Sequence, residues 1–233
     1  MSVTNCVFDA YGTLFDVAAA ARRVAQRPDF PAFAAVWQKV ANDWRLKQLQ
    51  YSWLRATMQR HTDFWQVTQD GLDWALEASN LSQDETLRQA LLDLYWNLDA
   101  YPEVPAMLRA LKTAGFDTAI LSNGSPEMLD GAVQSAELKG DLDAVLSVEE
   151  VGIFKPAPVV YELVTTRFSS TPDQTLFVSS NGWDAAAAAA FGFRTVWVNR
   201  AGEPQDRLPW HPEMVLHDLT TIPEIAMGLR PIS

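Results

Sequence analysis

The stretch CVFDAYGTLFDV, residues 6–17, decides the fold of this chain. The apolar run before Asp9 is typical of a buried β-strand, and Gly12 and Thr13 follow it as a turn. In parallel sheets, ligands bind at the carboxyl ends of the strands. The pattern predicts that Asp9 lies at such an end, where N–H groups of the loop stabilise its ionised form. From this stretch alone, a helix cap is an equally good interpretation of Asp9.

Length and charge exclude several classes of function. The 233 residues are enough for one large domain or for a core with an insertion, and 48% of them are hydrophobic and 20% charged, as in an ordinary globular protein. The formal net charge is -11, with no Lys- or Arg-rich block, which argues against nucleic acid as a partner. We expect no signal peptide, no membrane span and a cytoplasmic location.

Cysteine and histidine usage predicts neither a disulfide nor a metal site. The single cysteine, Cys6, lies in the apolar run before Asp9 and is expected to be a buried small hydrophobe. His61, His211 and His217 have no second ligand at zinc-binding spacing. These residues therefore do not predict a zinc site, and we expect no cofactor.

Short apolar runs of β-prone residues recur along the chain, mostly separated by helical patterns. They are Val3–Asp9, Asp117–Ser122, Leu142–Val148, Thr175–Ser180 and Arg194–Asn199. This alternation predicts the α/β class, with a Rossmann-like, mostly parallel sheet covered on both faces.

An insertion separates the first two predicted strands. It spans roughly a hundred residues, far more than an ordinary connection, and its patterns are mostly helical. We predict that residues 16–98 form a helical cap, inserted into a catalytic core made of residues 1–15 and 99–233.

Local signals predict where three helices begin or end. Ser82 and Glu85 fit a capping box, and Ser125 followed by Pro126 is typical of a helix start. Gly192 closes an alanine-rich helix at its C-terminal end, where small side chains allow close packing on the sheet.

Polar residues follow the predicted strands at several points. Ser122 and Asn123 come at the end of one strand, before a helix start that can hold an anion. Pro156 restricts the backbone of Lys155, and Asp184 lies one helical turn beyond another strand end. A lone Lys is more often a solvated surface charge. Lys155 is therefore a candidate site residue only together with Ser122 and Asp184.

These segments, in this order, resemble the haloacid dehalogenase superfamily of Asp-nucleophile hydrolases over nearly the whole chain. Asp9 matches the nucleophile, Ser122 the hydroxyl motif, Lys155 the lysine motif and Asp184 the acidic motif. The resemblance implies a Rossmann-like core with an inserted helical cap.

Two departures from the superfamily's phosphatases favour another reaction. Tyr11 stands where phosphatases keep a second Asp as general acid and base, and Ser180 matches a carboxylate that holds magnesium. Magnesium prefers a shell of carboxylates and water, so metal-dependent phosphoryl transfer is disfavoured. The branch that the chain resembles is the L-2-haloacid dehalogenases. The matching stretches are FDAYGTLFDV, WRLKQLQYSWLR, ILSNGSP, FKPAPVVYEL and FVSSNGWDA.

The resemblance implies a role for each matching residue. Asp9 displaces halide from the 2-carbon of a small anionic 2-haloacid, and water then hydrolyses the ester. Arg45 receives the halide, with Asn123 as a second donor. Ser122 and the N–H groups of Ala10 and Tyr11 bind the substrate carboxylate.

Further residues support these steps by the same resemblance. Lys155 keeps Asp9 ionised, and Thr13 steadies the loop. The lysine and the water are positioned by Ser179, Asn181 and Asp184, with Tyr161 as a supporting hydroxyl. The apolar wall around the alkyl group consists of Tyr11, Leu49, Phe64 and Trp183.

The predicted function is metal-independent hydrolysis of short L-2-haloalkanoic acids to D-2-hydroxy acids and halide, in a homodimer that binds neither nucleic acid nor membrane. The alternatives are a hydrolase of the same fold that opens another activated carbon, such as a small-ring amino acid, a magnesium-dependent phosphatase, and a non-catalytic module that binds a carboxylic acid.

Overall fold

The computed structural model describes residues 2–229, apart from the side chain of Ala20. In that part of the chain six strands form one sheet in the order β3-β2-β1-β4-β5-β6, and all five strand pairings are parallel. The strands are β1 (Asn5–Phe8), β2 (Asp117–Ser122), β3 (Ala144–Ser147), β4 (Thr175–Ser179), β5 (Arg194–Val198) and β6 (Met214–Leu216). The α/β class with a parallel sheet is confirmed.

Ten α-helices lie among the described residues. They are α1 (Val17–Ala25), α2 (Pro31–Ala34), α3 (Trp37–Met58), α4 (Phe64–Glu77), α5 (Glu85–Leu92), α6 (Val104–Thr113), α7 (Pro126–Ser135), α8 (Pro158–Phe168), α9 (Gly182–Phe191) and α10 (Ile222–Gly228). Short 3-10 turns add Asp93–Trp96, Lys139–Asp141, Val148–Glu150 and Pro172–Gln174. None of the helices in the described residues is both long and apolar enough to cross a membrane.

The long connection from β1 to β2 is helical. Helices α1 to α5 fall within residues 16–98, and α3 packs along α4 through residues such as Trp44, whose indole N–H donates to the Thr68 carbonyl at 2.7 Å. The division into a cap of residues 16–98 and a core of residues 1–15 and 99–233 stays a prediction. Met1 and residues 230–233 of that core lie outside the described residues.

β2 has the predicted bounds, the other four predicted strands are shorter than predicted, and one strand was missed. Asp9 lies just beyond β1 rather than inside it. The sixth strand, β6, has only three residues, and Val215 at its centre is 49% exposed, so its apolar run is too short to mark a buried strand.

One predicted helix start was wrong and another is confirmed. α5 begins after Asp84, not Ser82, because the Asp84 carboxylate accepts from the Leu87 N–H at 2.9 Å. α7 begins as predicted, since Ser125 accepts from the Met128 N–H.

The register of the sheet brings distant residues to one edge. Phe8, the last residue of β1, pairs with Ile120 on one side and Val178 on the other. All residues of β1 and β4 are buried, as in the centre of a parallel sheet. The residues after β1, β2 and β4, among them Asp9 and Asn123, therefore meet at the carboxyl edge of the sheet.

Replacing Gly192 with Ala tests the end of α9. Gly192 has φ +106°, and an added Cβ would lie 3.2 Å from the Pro172 side chain. We expect Gly192→Ala to lower the free energy of unfolding by about 1–2 kcal/mol, because an L-residue is strained in this conformation. Urea denaturation measures the change.

Gly140→Ala is the matched control. Its backbone is outside the left-handed region, and an added Cβ would meet no atom within 4 Å. Its stability should stay the same or rise slightly. Equal losses in the two variants would contradict the assignment of Gly192 as a conformationally required glycine.

Candidate active site

A buried lysine joins two carboxylates at the carboxyl edge of the sheet. Lys155 Nζ lies 3.2 Å from Asp9 Oδ1 and 2.9 Å from Asp184 Oδ2. The lysine side chain is 1% exposed, and those of Asp9 and Asp184 are 9% and 0% exposed. Because water is largely excluded, the ammonium is stabilised mainly by the two carboxylates, and each carboxylate by the ammonium and by local hydrogen bonds.

The loop before α8 holds the lysine in place. The Lys155 N–H donates to the side-chain oxygen of Asn123 at 2.9 Å, so a residue after β2 fixes the lysine backbone. The ammonium also lies 5.0 Å from the ring centre of Phe177 on β4. Asn123 was predicted to be a halide donor, and this contact uses its oxygen and leaves the NH₂ group for a ligand.

Asp9 is held through both of its oxygens. Thr13 donates to Oδ2 at 3.1 Å and the Asn181 side chain at 3.0 Å, while Oδ1 receives the lysine. Thr13 belongs to the turn that follows β1, and Asn181 lies just before α9. The helix-cap interpretation of Asp9 is wrong, because the N-cap of α1 is Asp16, which accepts from the Ala19 N–H.

Asp184 is the most enclosed member of the cluster. Ser179 donates to its Oδ2 at 2.9 Å and Tyr161 to its Oδ1 at 2.7 Å. Burial raises the pKa of Asp184, although the lysine pulls it the other way. Burial, followed by the charge of Asp184, raises the pKa of Tyr161, which therefore remains a hydrogen-bond donor.

The lysine itself remains charged. Burial alone would lower the pKa of Lys155, but the nearby charges of Asp184 and Asp9 outweigh it, and the pKa is raised. The ammonium thus provides a permanent positive charge beside Asp9.

Arg45 reaches this cluster from α3. Its Nη2 atom donates to Asn181 Oδ1 at 2.5 Å, while the amide nitrogen of the same side chain donates to Asp9. The guanidinium therefore orients the Asn181 amide so that its N–H bond points at the carboxylate.

An open cavity of about 700 Å³ lies next to Asn181, whose side chain donates to Asp9, although Asp9 itself does not line it. Arg45 and Asn181 line it, together with Leu49 and Trp183. It is bounded by α3, the turn after β1, the start of α9 and the loop after β5. The predicted alkyl-binding residues Leu49 and Trp183 therefore line the same cavity as Arg45 and Asn181.

The other two predicted wall residues lie deeper. Tyr11 and Phe64 stack with ring centres 6.3 Å apart, and the ring centre of Tyr95 lies 5.7 Å from that of Tyr11. Burial, with smaller contributions from Tyr95 and Asp9, raises the pKa of Tyr11. An added Cβ at Gly124 would meet the Tyr11 hydroxyl at 2.9 Å, so this glycine makes room for the ring.

The predicted carboxylate binders lie beside Asp9. Ser122 is 1% exposed and accepts from the Gly124 N–H at 3.1 Å, which leaves its own proton for a ligand. The carbonyl of Ala10 accepts from the N–H groups of Thr13, Leu14 and Phe15, which closes the turn.

Sequence reasoning missed Arg200 as a site residue. Its Nη2 donates to the Thr13 carbonyl at 3.2 Å and lies 2.7 Å from Glu103 Oε1, and its guanidinium sits 3.6 Å from the ring centre of Tyr101. Arg200 also lines the cavity. It follows β5, so the rule that ligands bind at strand ends was the signal that could have found it.

Ser180, which was predicted to replace a metal-binding carboxylate, supports Thr13. Its N–H donates to the Thr13 hydroxyl at 2.8 Å, and its hydroxyl lies 3.1 Å from the same atom. Trp197 in turn donates to the Ser180 carbonyl at 3.1 Å. These contacts fix the loop that carries Asn181.

Comparison with known proteins places the chain among hydrolases. Residues 3–192 match the haloacid dehalogenase-like hydrolase family. (S)-2-haloacid dehalogenase 1 of Pseudomonas sp. (strain CBS-3) is 45% identical over 227 residues, which cover 97% of this chain and 98% of that protein. (S)-2-haloacid dehalogenase 4A of Burkholderia cepacia is 42% identical over 88% of this chain and 87% of its own.

A solved structure shows the same architecture. The L-2-haloacid dehalogenase from Xanthobacter autotrophicus with chloropropionic acid covalently bound superposes with a TM-score of 0.88 at 35% identity. The match covers 97% of this chain and 99% of that one.

Removing the lysine charge tests the balance of the buried cluster. Lys155→Met leaves two buried carboxylates without their cation, and we expect the free energy of unfolding to fall by about 3–5 kcal/mol at pH 7. Because protonation of a carboxylate relieves this, the deficit should shrink as the pH falls. Urea denaturation at pH 7 and pH 5 measures both effects.

Lys112→Met is the matched control, since Lys112 pairs with Asp143 where both side chains are about one-third exposed. Its loss should be about 0–1 kcal/mol. Equal losses, or a Lys155→Met deficit that grows as the pH falls, would contradict the account.

Proposed function

The chain belongs to the haloacid dehalogenase-like hydrolase family, and we propose that it hydrolyses short L-2-haloalkanoic acids to D-2-hydroxy acids and halide, with Asp9 as the nucleophile. The observation that carries this is the arrangement of Asp9. Its carboxylate is fixed by Lys155, Thr13 and Asn181, and Asn181 also lines an open cavity.

The first step is a substitution at carbon. A lone pair of an Asp9 oxygen forms a bond to the 2-carbon from the side opposite the halogen, and the carbon–halogen bonding pair leaves with the halide. The result is an ester with inverted configuration. Arg45 provides positive charge for the departing halide, and its contact with Asn181 keeps it beside Asp9.

The second step is hydrolysis of this ester. Water adds to the carbonyl carbon of the Asp9 ester, and its proton passes to Asp184, whose carboxylate is made more basic by burial. When the tetrahedral intermediate collapses, the bond to the substrate oxygen breaks, and this oxygen takes the proton back from Asp184 and leaves as the hydroxyl of the product. The second proton of the water leaves the regenerated Asp9 carboxyl group for solvent. Asp9 then carries one oxygen from water.

Substrate binding follows from the donors beside Asp9. The Ser122 hydroxyl and the N–H groups of Ala10 and Tyr11 bind the substrate carboxylate, because these residues lie at the carboxyl ends of β2 and β1 and offer protons to an anion. Arg45 and Arg200, which line the cavity, counter the repulsion of an anion by a chain of net charge -11. Tyr11, Leu49, Phe64 and Trp183 surround the alkyl group.

The reaction proceeds without a metal ion. The residues do not fit magnesium, because the ammonium of Lys155 already lies between Asp9 and Asp184. Tyr11 and Ser180 supply hydroxyls where magnesium prefers carboxylates. The cytoplasmic location stays a prediction from the sequence.

Halide release tests the function. The protein should release chloride from L-2-chloropropionate, leave the D-enantiomer unchanged, produce D-lactate, and keep its full rate in excess EDTA. Asp9→Asn removes the nucleophile but keeps the side-chain shape, and it should lower kcat by at least about 10⁴-fold. Chloride and chiral product are measured together.

Lys112→Met serves as the folded control and should keep the wild-type rate, because Lys112 pairs with Asp143 and does not line the cavity. Loss of turnover in EDTA that magnesium restores would disprove the metal-independent route. Unchanged turnover in Asp9→Asn would remove Asp9 from the mechanism.

We also propose that the protein is a homodimer through the outer face of α3 and α4. Leu54, Met58 and Trp74 are 39–59% exposed there and line one shallow depression of about 660 Å³. The same depression carries Arg55 beside Asp70, so the face presents both charges and is complementary to a second copy of itself.

Light scattering on a sizing column tests this interface. The wild type should elute as a dimer, and Met58→Glu should elute as a monomer because it puts a charge in the apolar contact. Met227→Glu alters a methionine of similar exposure on α10 and should remain dimeric. Dissociation of both variants, or of neither, would contradict the assignment of this face.

A further inference from the structure

A second, apolar groove lies beside the cavity that Arg45 and Asn181 line. It has a volume of about 650 Å³, within the range of small-molecule sites. Its lining includes Trp53, Trp183, Ala187, Leu208 and Trp210. This lining contains no charged side chain, although the chain as a whole is acidic.

Two tryptophans separate the groove from the cavity. Trp53 of α3 and Trp183 of α9 line both spaces, and their rings meet edge to face with centres 5.4 Å apart. Trp183 is also one of the residues proposed to surround the substrate's alkyl group. The groove therefore continues the space that an alkyl substituent of the 2-carbon occupies.

Trp53 is held by packing alone. Its indole N–H is buried and has no acceptor among the described residues. By contrast, Trp44 donates to Thr68 and Trp197 donates to Ser180. Without such a hydrogen bond, a change of the Trp53 rotamer breaks no polar contact, which makes this ring suited to moving aside.

The loop after β5 is likewise charged where it borders the cavity and apolar where it borders the groove. Its first part, with Arg200 and Asp206, borders the cavity, and its later part, with Leu208 and Trp210, borders the groove. An occupant that fits both spaces has an anionic head near the arginines and an apolar tail in the groove.

We propose that the groove binds the alkyl tail of longer 2-halocarboxylic acids, whose chain passes between Trp53 and Trp183 while C2 stays at Asp9. The inference rests on the proposed function and extends its substrate class beyond short chains. The bonds made and broken are the same, so each added methylene contributes only its transfer from water to the groove.

A chain-length series tests this. Wild-type kcat/KM for L-2-bromo acids should rise about fourfold for each methylene from propionate to octanoate, the ratio expected from about 0.8 kcal/mol per buried methylene. Ala187→Phe fills the groove from a half-buried position and should abolish the rise without changing turnover of 2-bromopropionate. Ala34→Phe, on the exposed surface of α2, is the matched control and should keep the rise.

Leu208→Asp is a second variant for the case that Ala187→Phe does not fold, since Leu208 is 40% exposed and its replacement puts a charge in the groove. It should also flatten the series. A wild-type rate that falls beyond butanoate, or the same slope in wild type and the folded groove variants, would overturn the proposal and assign the groove to another occupant.

Binding of octanoate and propionate, measured by calorimetry, separates this inference from the proposed reaction. Octanoate should bind more tightly than propionate to the wild type but not to Ala187→Phe, whether or not halide is released. Equal affinities of the wild type for octanoate and propionate would overturn the proposal that the groove binds the alkyl tail. Tighter binding of octanoate without halide release from the 2-halo acids would overturn only the proposed dehalogenation.

Discussion

The buried contact of Lys155 with Asp9 and Asp184 is the constraint on which the rest of the structure depends. Three charges withdrawn from water are tolerable only when each has close partners, because an unpaired buried charge costs several kcal/mol. The partners come from distant parts of the chain: the turn after β1, the loop before α8 and the first turn of α9. A parallel sheet brings all of them to one edge. The fold therefore places the three charges together, and their mutual pairing stabilises the fold in turn.

The same arrangement makes Asp9 useful. A carboxylate fixed through both oxygens has one orientation before any ligand binds, and the adjacent ammonium places a positive charge beside it. Arg45 links α3 to this edge through Asn181, so the helices between β1 and β2 contribute directly to the site. The dehalogenase relatives share this architecture across nearly the full chain.

Most strands of the sheet and most residues of the candidate site could be predicted from the sequence. Buried parallel strands are continuous apolar runs, so β1 and β4 were found. The meeting of Asp9 with Lys155 and Asp184 was expected from the resemblance of their motifs to the haloacid dehalogenase superfamily. The apolar run of β6 has only three residues, and this strand was missed. Arg200 was missed because its contacts, with a carbonyl, a ring and a carboxylate, exist only after folding. The four residues predicted to surround the alkyl group lie in two places: Leu49 and Trp183 line the cavity, and Tyr11 and Phe64 stack deeper in the protein. Their spacing along the chain does not predict this division.

The oxygen exchanged during a single turnover tests the central claim most directly. Enzyme in excess over L-2-chloropropionate, in water enriched in heavy oxygen, should give D-lactate whose new hydroxyl carries ordinary oxygen, while mass spectrometry finds the label in the peptide that contains Asp9. Label in the hydroxyl of the first product, with none in Asp9, would mean that water attacks carbon directly, and the nucleophile assigned here would be wrong.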